Sequence, residues 1–323
     1  MTTRLLTTAD RSAVESFLRA NLTRTMFLLS NLREAGIEDC EHPFAGPYVG
    51  DFAGSALVGV ACHFRRGNLI VHAPADPLGL ARAALMASGR SLRALVGAEE
   101  QVDVIAAALG LPAGADAQND ERDGLYRLAL DGLQVPPDLG AGRVHGRVPT
   151  LADLETLVDW TVRYHVEAIG EVETPQLYAK VRAELPEAIE GGSIWLLEHD
   201  GQLVAKTAFN ARLPEAVQIG GVYTPEAMRG RGYGRCVVAS HLLAAREAGV
   251  ELAILFTGDH NVPAQRAYAA LGFTGVGRYR VLVLREPITV GAELGPAGCS
   301  HSAVRASLGR VDCACCRRRT GAS

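Results

Sequence analysis

No stretch of this chain stays apolar for long enough to cross a bilayer. Residues 55–62 and 237–245 are among its longest apolar runs, well short of the ~20 residues that a spanning helix needs. Arg4 and Asp10 also break up any signal-like start, so a cytoplasmic protein with no membrane partner is expected. Positive charge is lacking too. Lys and Arg number 32 against 36 Asp and Glu, a formal net charge of −4, and no basic stripe runs through the patterned stretches, so no nucleic-acid partner is expected. Seven cysteines are too few and too scattered for a disulfide framework, and Cys40, Cys62 and Cys236 read as small buried apolar residues. Cys313, Cys315 and Cys316, with Cys299 and His301 upstream, have a C-x-C-C spacing unlike a structural zinc site, and no metal is expected. The triplet Gly-Lys-Ser/Thr is missing, which excludes a P-loop.

What is present is the balance of a soluble globular protein, 48% apolar and 21% charged in 323 residues, enough for two domains with their own cores. The most informative segment is Arg229-Gly230-Arg231-Gly232-Tyr233-Gly234. A strand-like run, 217–224, leads into it, and a helix-patterned stretch to about Ala248 leads out. Glycines at a strand-to-helix turn can aim several backbone N–H groups at one point, where the helix dipole favours negative charge. The loop therefore reads either as a phosphate cradle or as a plain corner. Arg235 stands where the dinucleotide pattern G-x-G-x-x-G requires its last glycine, so that motif is excluded.

Arg-x-x-Gly-x-Gly preceded by Tyr223-Thr224-Pro225, and followed by Asn261-x-x-Ala264-x-x-x-Tyr268-x-x-x-Gly272-Phe273, resembles the GCN5-related N-acetyltransferase (GNAT) superfamily from about Arg143 to Glu286. The resemblance implies an α/β (α+β) fold, a mixed, mostly antiparallel sheet flanked by helices, and acyl transfer from acetyl-CoA to an amine of a small molecule or peptide. It implies that the N–H groups of Arg229, Gly230, Arg231, Gly232, Tyr233 and Gly234 hold the pyrophosphate, with the Arg231 and Arg235 side chains as further partners. Val222, Tyr223 and Thr224 would line the pantetheine, and a main-chain N–H near Val222 or Tyr223 would face the thioester carbonyl. Tyr268 would be the general acid for the CoA thiolate, and Asn261 a helix cap or a hydrogen-bond partner of the cofactor. Gly220-Gly221 fits a bulge or a packing contact. No general base declares itself. Glu167 and Glu171, with Glu173 and His165 beside them, lie where the substrate loops form and read as acceptor-binding candidates or as solvated surface groups. The other reading of the whole is a silent acyl-CoA-binding sensor or scaffold.

The chain also repeats itself. Arg4-x-x-Thr7-x-Ala9-Asp10 returns as Arg147-x-x-Thr150-x-Ala152-Asp153, Ala107-Ala108-Leu109-Gly110-Leu111 as Ala269-Ala270-Leu271-Gly272-Phe273, and Tyr126-Arg127 as Tyr279-Arg280. The first copy has no Arg-x-x-Gly-x-Gly after Pro74, and the place of Tyr268 falls on Ala106. Two GNAT-like domains are thus expected: a degenerate one at 1–135, a linker at 136–142, an intact one at 143–286 and an unstructured tail at 287–323. Within the second, a helix from Thr174-Pro175 should stop before Pro186, and His199-Asp200-Gly201 should turn a hairpin. The pattern fixes no oligomeric state.

Overall fold

A computed structural model describes residues 1–289; the expected tail from residue 290, with Cys299, His301, Cys313, Cys315 and Cys316, lies outside the described residues. In order, the elements are β1 (Thr2–Leu5), α1 (Arg11–Ala20), α2 (Leu22–Ala35), β2 (Tyr48–Ala53), β3 (Ala56–His63), β4 (Asn68–His72), α3 (Pro77–Ser88), β5 (Leu92–Ala98), α4 (Glu99–Ala108) and β6 (Asn119–Ala129). There follow α5 (Pro137–Gly140), β7 (Val144–Arg147), α6 (Leu154–Tyr164), α7 (Pro175–Glu190), β8 (Ile194–His199), β9 (Gln202–Arg212), β10 (Ala216–Tyr223), α8 (Tyr233–Glu247), β11 (Leu252–Gly258), α9 (Val262–Leu271) and β12 (Thr274–Ile288). Among the described residues no helix is long and apolar enough to cross a membrane.

Two compact units result among the described residues: Met1–Asp123 with residues 278–289, and Gly124–Gly277. In the first, the strand order is β1-β2-β3-β4-β5-β12, antiparallel except for β4 on β5. The second has the order β6-β11-β10-β9-β8-β7, with β10 and β11 parallel. Each is the mixed, mostly antiparallel sheet flanked by helices that the sequence predicts.

The boundaries differ from the expected 135/143 division because the last strand of each sequence repeat serves the other unit. Residues 278–289 belong to the first unit: Tyr279 to Val283 pair antiparallel with Ala98 to Ala94, and Leu282 and Leu284 are buried in that unit's core. Conversely, Leu128, Leu130 and Leu133 join the core of the second unit, and the Gln134 N–H donates to the Leu271 carbonyl. The expected linker is therefore part of the second unit, with Leu139 of α5 packed on its core. Nor does the strand stop before Pro287, since Ile288 still pairs with Leu92.

The repeated phrase has a physical content. Arg4 grips Asp10 through two bonds of 2.8 and 2.6 Å while Asp10 accepts from the Thr7 N–H. Arg147 grips Asp153 at 2.8 and 2.8 Å, and Asp153 accepts from the Thr150 N–H. In both copies one carboxylate closes a capping box and ties the first strand to the first helix.

Two local predictions meet different fates. Asp200 (φ 49°) and Gly201 (φ 75°) form the tight turn between β8 and β9, as an Asp-Gly pair favours. Pro186, in contrast, sits inside α7. A proline there removes one hydrogen bond and crowds the preceding turn, yet Val181, Leu185 and Ile189 form a buried stripe that continues across it, and burying that stripe outweighs the lost bond.

Candidate active site

In the second unit, β10 and β11 pair only at Ala216↔Leu252, Val217↔Ala253 and Gln218↔Ile254. Beyond Gln218 the parallel register ends, although β10 runs on to Tyr223. The buried Gln218 side chain donates to the Ile219 carbonyl at 2.7 Å, occupying an acceptor just past the end of the ladder, and its own Oε1 has no hydrogen-bond partner. On the other edge, β10 slips against β9 between Gly220↔Ala208 and Tyr223↔Lys206. This is a bulge, with Gly221 at φ 57°. Gly220 has a separate reason to lack a side chain, since a Cβ there would stand 2.0 Å from Asn210 Nδ2. In the first unit the corresponding ladder stays closed: it runs from Asn68 to Val71 of the five-residue β4, and a Cβ on Gly97 would meet the Val71 carbonyl at 2.9 Å.

After Tyr223 come Thr224, Pro225 and a short turn, in which the Met228 and Arg229 N–H groups donate back to Pro225 and Glu226. Gly230 (φ 78°) and Gly232 (φ 80°) then adopt the left-handed conformation that favours glycine. A Cβ on Gly230 would meet nothing within 4 Å, so backbone conformation rather than crowding calls for glycine there. The first main-chain bond of α8 is Cys236 N–H to Gly232 C=O at 3.0 Å, which leaves the amides of Tyr233, Gly234 and Arg235 without helical partners. Gly232 supplies no side-chain cap, and no acid lies in the first turn. Arg231 and Arg235 instead add positive charge to the positive end of the dipole, an unfavourable placement unless an anion joins them. Arg235 Nε is buried without a hydrogen-bond partner. The equivalent helix of the first unit, α3, begins differently: the Asp76 carboxylate accepts from the Gly79 N–H at 2.8 Å and closes the site itself.

Arg229 has other work for its side chain. Its Nε donates to the Thr224 carbonyl at 3.0 Å, its guanidinium lies 5.8 Å from the Tyr223 ring centre, and it pairs with Glu167. Glu167 lies on the wide turn His165–Ile169 that continues α6, so this acid braces the glycine loop. Glu171 Oε1 stands 3.5 Å from His165 Nδ1, and Glu173 accepts from the Tyr178 hydroxyl. Tyr233 is buried, with its hydroxyl 2.8 Å from His199 Nδ1; only its N–H faces the loop's task.

Asn261 caps α9, accepting from the Ala264 N–H at 3.2 Å. The helix closes at Gly272 (φ 99°), with Phe273 N–H bonded to the Tyr268 carbonyl. These two ends fix Tyr268, which is 9% exposed, packs edge-on against Phe273 and belongs to the same core cluster as Tyr233. Burial, aided by nearby Tyr164, pushes its hydroxyl well above the ordinary phenol range, so it stays protonated at neutral pH. Its counterpart in the first unit, Ala106 of α4, offers no acid.

One residue escaped the sequence reading. Lys206, at the middle of β9, is 4% exposed, and burial lowers its pKa to about 8. Its Nζ lies 5.6 Å from the Tyr164 ring centre, and a Cβ on Gly221 would stand 3.7 Å from it. With Tyr164, His165, Thr161, Asn210 and Gly221 it lines a cavity of about 360 Å³. A signal existed: Lys206 sits in the mostly apolar strand stretch 203–209, in a chain whose only other lysine is Lys180. Among the described residues no group of His, Cys, Asp and Glu is placed to hold a metal ion.

Residues 154–273 match the model of the acetyltransferase (GNAT) family. Solved structures share the fold over most of the chain. An X-ray structure of a Drosophila protein superposes with a TM-score of 0.59 at 10% identity, over 87% of this chain and 98% of that one. A GCN5-related N-acetyltransferase from Sphaerobacter thermophilus gives 0.51 at 13%, over 90% and 97%. A tandem GNAT protein from the clavulanic acid biosynthesis pathway gives 0.50 at 16%, over 87% and 97%. No curated protein matches the chain by sequence.

Proposed function

Because residues 154–273 form a domain of the acetyltransferase (GNAT) family, we propose that this protein transfers an acetyl group from acetyl-CoA to the amine of a small molecule or peptide, with its chemistry confined to the second unit. The observation that carries this reading is the start of α8: two left-handed glycines, three amides without helical partners, two arginines and no acid. That arrangement suits a pyrophosphate. Gly230 to Arg235 would hold it by main-chain N–H groups, with Arg231 and Arg235 adding charge. The cosubstrate supplies an activated thioester. The unpaired edge of β10 past Gln218 would take the pantetheine, and the N–H of Val222 or Tyr223 would donate to the thioester carbonyl as it gains negative charge.

The acceptor's neutral amine attacks that carbonyl carbon, the carbon–sulfur bond breaks, the Tyr268 hydroxyl gives its proton to the departing sulfur, and the proton shed by the nitrogen goes to solvent, from which Tyr268 is reprotonated. Burial keeps Tyr268 protonated at neutral pH, so the acid is present when the carbon–sulfur bond breaks. Asn261 acts through α9, by holding the helix that carries Tyr268.

The test is thiol release from acetyl-CoA over a broad amine panel, with CoA binding measured separately. Tyr268→Phe should lower kcat by about 10²- to 10⁴-fold with CoA affinity and Tm nearly unchanged. Gly232→Glu should abolish CoA binding. A wild-type chain that binds acetyl-CoA yet acetylates nothing would be a sensor, and a fully active Phe variant would remove Tyr268 from the mechanism.

A further inference from the structure

The cavity beside β9 contains a charge without a counter-ion. Lys206 makes no ion pair among the described residues, and its Nζ lies 5.6 Å from the Tyr164 ring centre. One more polar atom on the cavity wall, Thr161 Oγ1, is buried without a hydrogen bond, while His165 Nδ1 has the Glu171 carboxylate 3.5 Å away. The only acid along the lining, Glu184, is solvent-exposed. Burying an unpartnered ammonium is costly, and a well-placed anion that hydrogen-bonds to it offsets part of that cost. With the Lys206 ammonium and the Thr161 hydroxyl unpaired, the cavity favours an acceptor of hydrogen bonds with negative charge. Val181, Leu185, Ile194 and Phe209 give it an apolar side, with Ser193 and Asn210 also on the wall.

Position narrows the ligand further. Lys206 pairs in register with Tyr223, and its Nζ lies against the Gly221 bulge, directly before the Val222 and Tyr223 amides assigned to the thioester. An anion held at Nζ is therefore only a few atoms from the amine that attacks. A carboxylate and an amine borne on one carbon meet that spacing, and a long diamine or a sugar does not. We propose that the acceptor is an α-amino acid with an apolar side chain, its carboxylate on Lys206 and its side chain against Val181, Leu185 and Phe209. The role of the amine rests on the acetyl transfer proposed above; the carboxylate anchor does not.

The anchor is tested without turnover. Reductive methylation of the wild-type chain, followed by peptide mass spectrometry, reads Lys206 against exposed Lys180 as an internal control. The probe is 4-methylpentanoate, which is leucine without its amine, and 4-methylpentanamide is its neutral match. The acid should slow labelling of Lys206 but not of Lys180, and the amide should do neither. Calorimetry should find the acid bound about 10- to 100-fold more weakly by Lys206→Met, the loss expected for a charge-assisted hydrogen bond. Equal protection by acid and amide, or no protection at all, overturns the anchor, as does unchanged affinity in Lys206→Met. In turnover, L-leucine should exceed L-leucinamide and 3-methylbutylamine in kcat/KM by a similar factor. Turnover of all three at equal efficiency refutes the amino-acid acceptor while leaving acetyl transfer intact. Protection by the acid with no turnover of any amine would leave the anchor standing and refute the transferase.

Discussion

Replacing Lys206 by Met tests the energetics of the cavity through stability alone. In the folded protein the Lys206 pKa falls from its ordinary 10.5 to about 8 because the ammonium is desolvated. At roughly 1.4 kcal/mol for each tenfold change in proton affinity, the folded chain carries a penalty of about 3 kcal/mol while the group is charged. The sign follows from proton binding. Below pH 8 both folded and unfolded chains hold the proton and the full penalty applies; between pH 8 and 10.5 the unfolded chain binds more protons, so wild-type stability rises with pH. Met has nearly the same length and no charge, so its variant lacks this term. Lys206→Met should therefore gain stability over wild type at pH 7, and that advantage should shrink by about 2–3 kcal/mol at pH 10. Other groups that titrate at high pH cancel in the difference. Urea unfolding followed by tryptophan fluorescence suits the measurement, since Trp160 and Trp195 both lie in the unit that contains Lys206. A stability difference that is the same at both pH values, or that moves in the opposite direction, would refute a desolvated, unpaired lysine.

Three further outcomes are expected. Arg280 is 2% exposed and bonds Asp120 at 2.7 and 2.8 Å and Asp103 at 2.7 Å; Arg280→Met removes these bonds from the half-buried Asp120 and should cost the first unit about 1–3 kcal/mol in denaturant unfolding. Arg147 holds the Asp153 carboxyl down from 3.8 to about 2, so its contribution of about 2 kcal/mol is present above pH 4 and is lost as pH falls through 2; Asp153→Asn should remove that acid-side dependence from urea melts between pH 5 and 2. Gly230→Ala forces a side chain into the left-handed region at φ 78° and should cost about 1–2 kcal/mol, together with a measurable loss of CoA affinity; an unchanged melting temperature would mean that the loop relaxes elsewhere.

Much of the second unit's candidate site is written in short stretches of sequence, because the physics involved acts over a few residues. A glycine is recognisable where φ must be positive, as at Gly230, Gly232 and Gly272. Asn261 three residues ahead of Ala264 is a cap by local geometry alone, and the Arg-x-x-Thr-x-Ala-Asp phrase carries its own ion pair and capping box in both copies. The absence of the glycine loop from the first copy is equally visible, and Asp76 at the start of α3 explains how that helix end is satisfied.

Other features depend on residues far apart in the chain, and no local rule reaches them. The exchange of last strands was hidden because Tyr126-Arg127 and Tyr279-Arg280 look alike in sequence, while the choice of sheet is made by pairing between β12 and β5 and by burial of Leu282 and Leu284. Pro186 reads as a stop from its backbone alone; the buried stripe on α7 carries the helix past it. Glu167 looks like a free acid until the fold brings Arg229 to it, 62 residues later. Lys206 is the clearest case: the sequence shows a lysine in an apolar strand, but whether such a group meets a carboxylate, reaches solvent or stays unpaired is decided by the side chains packed around it from α6, α7 and β10. A charge's neighbours in space set its energy, and those neighbours exist only once the chain is folded.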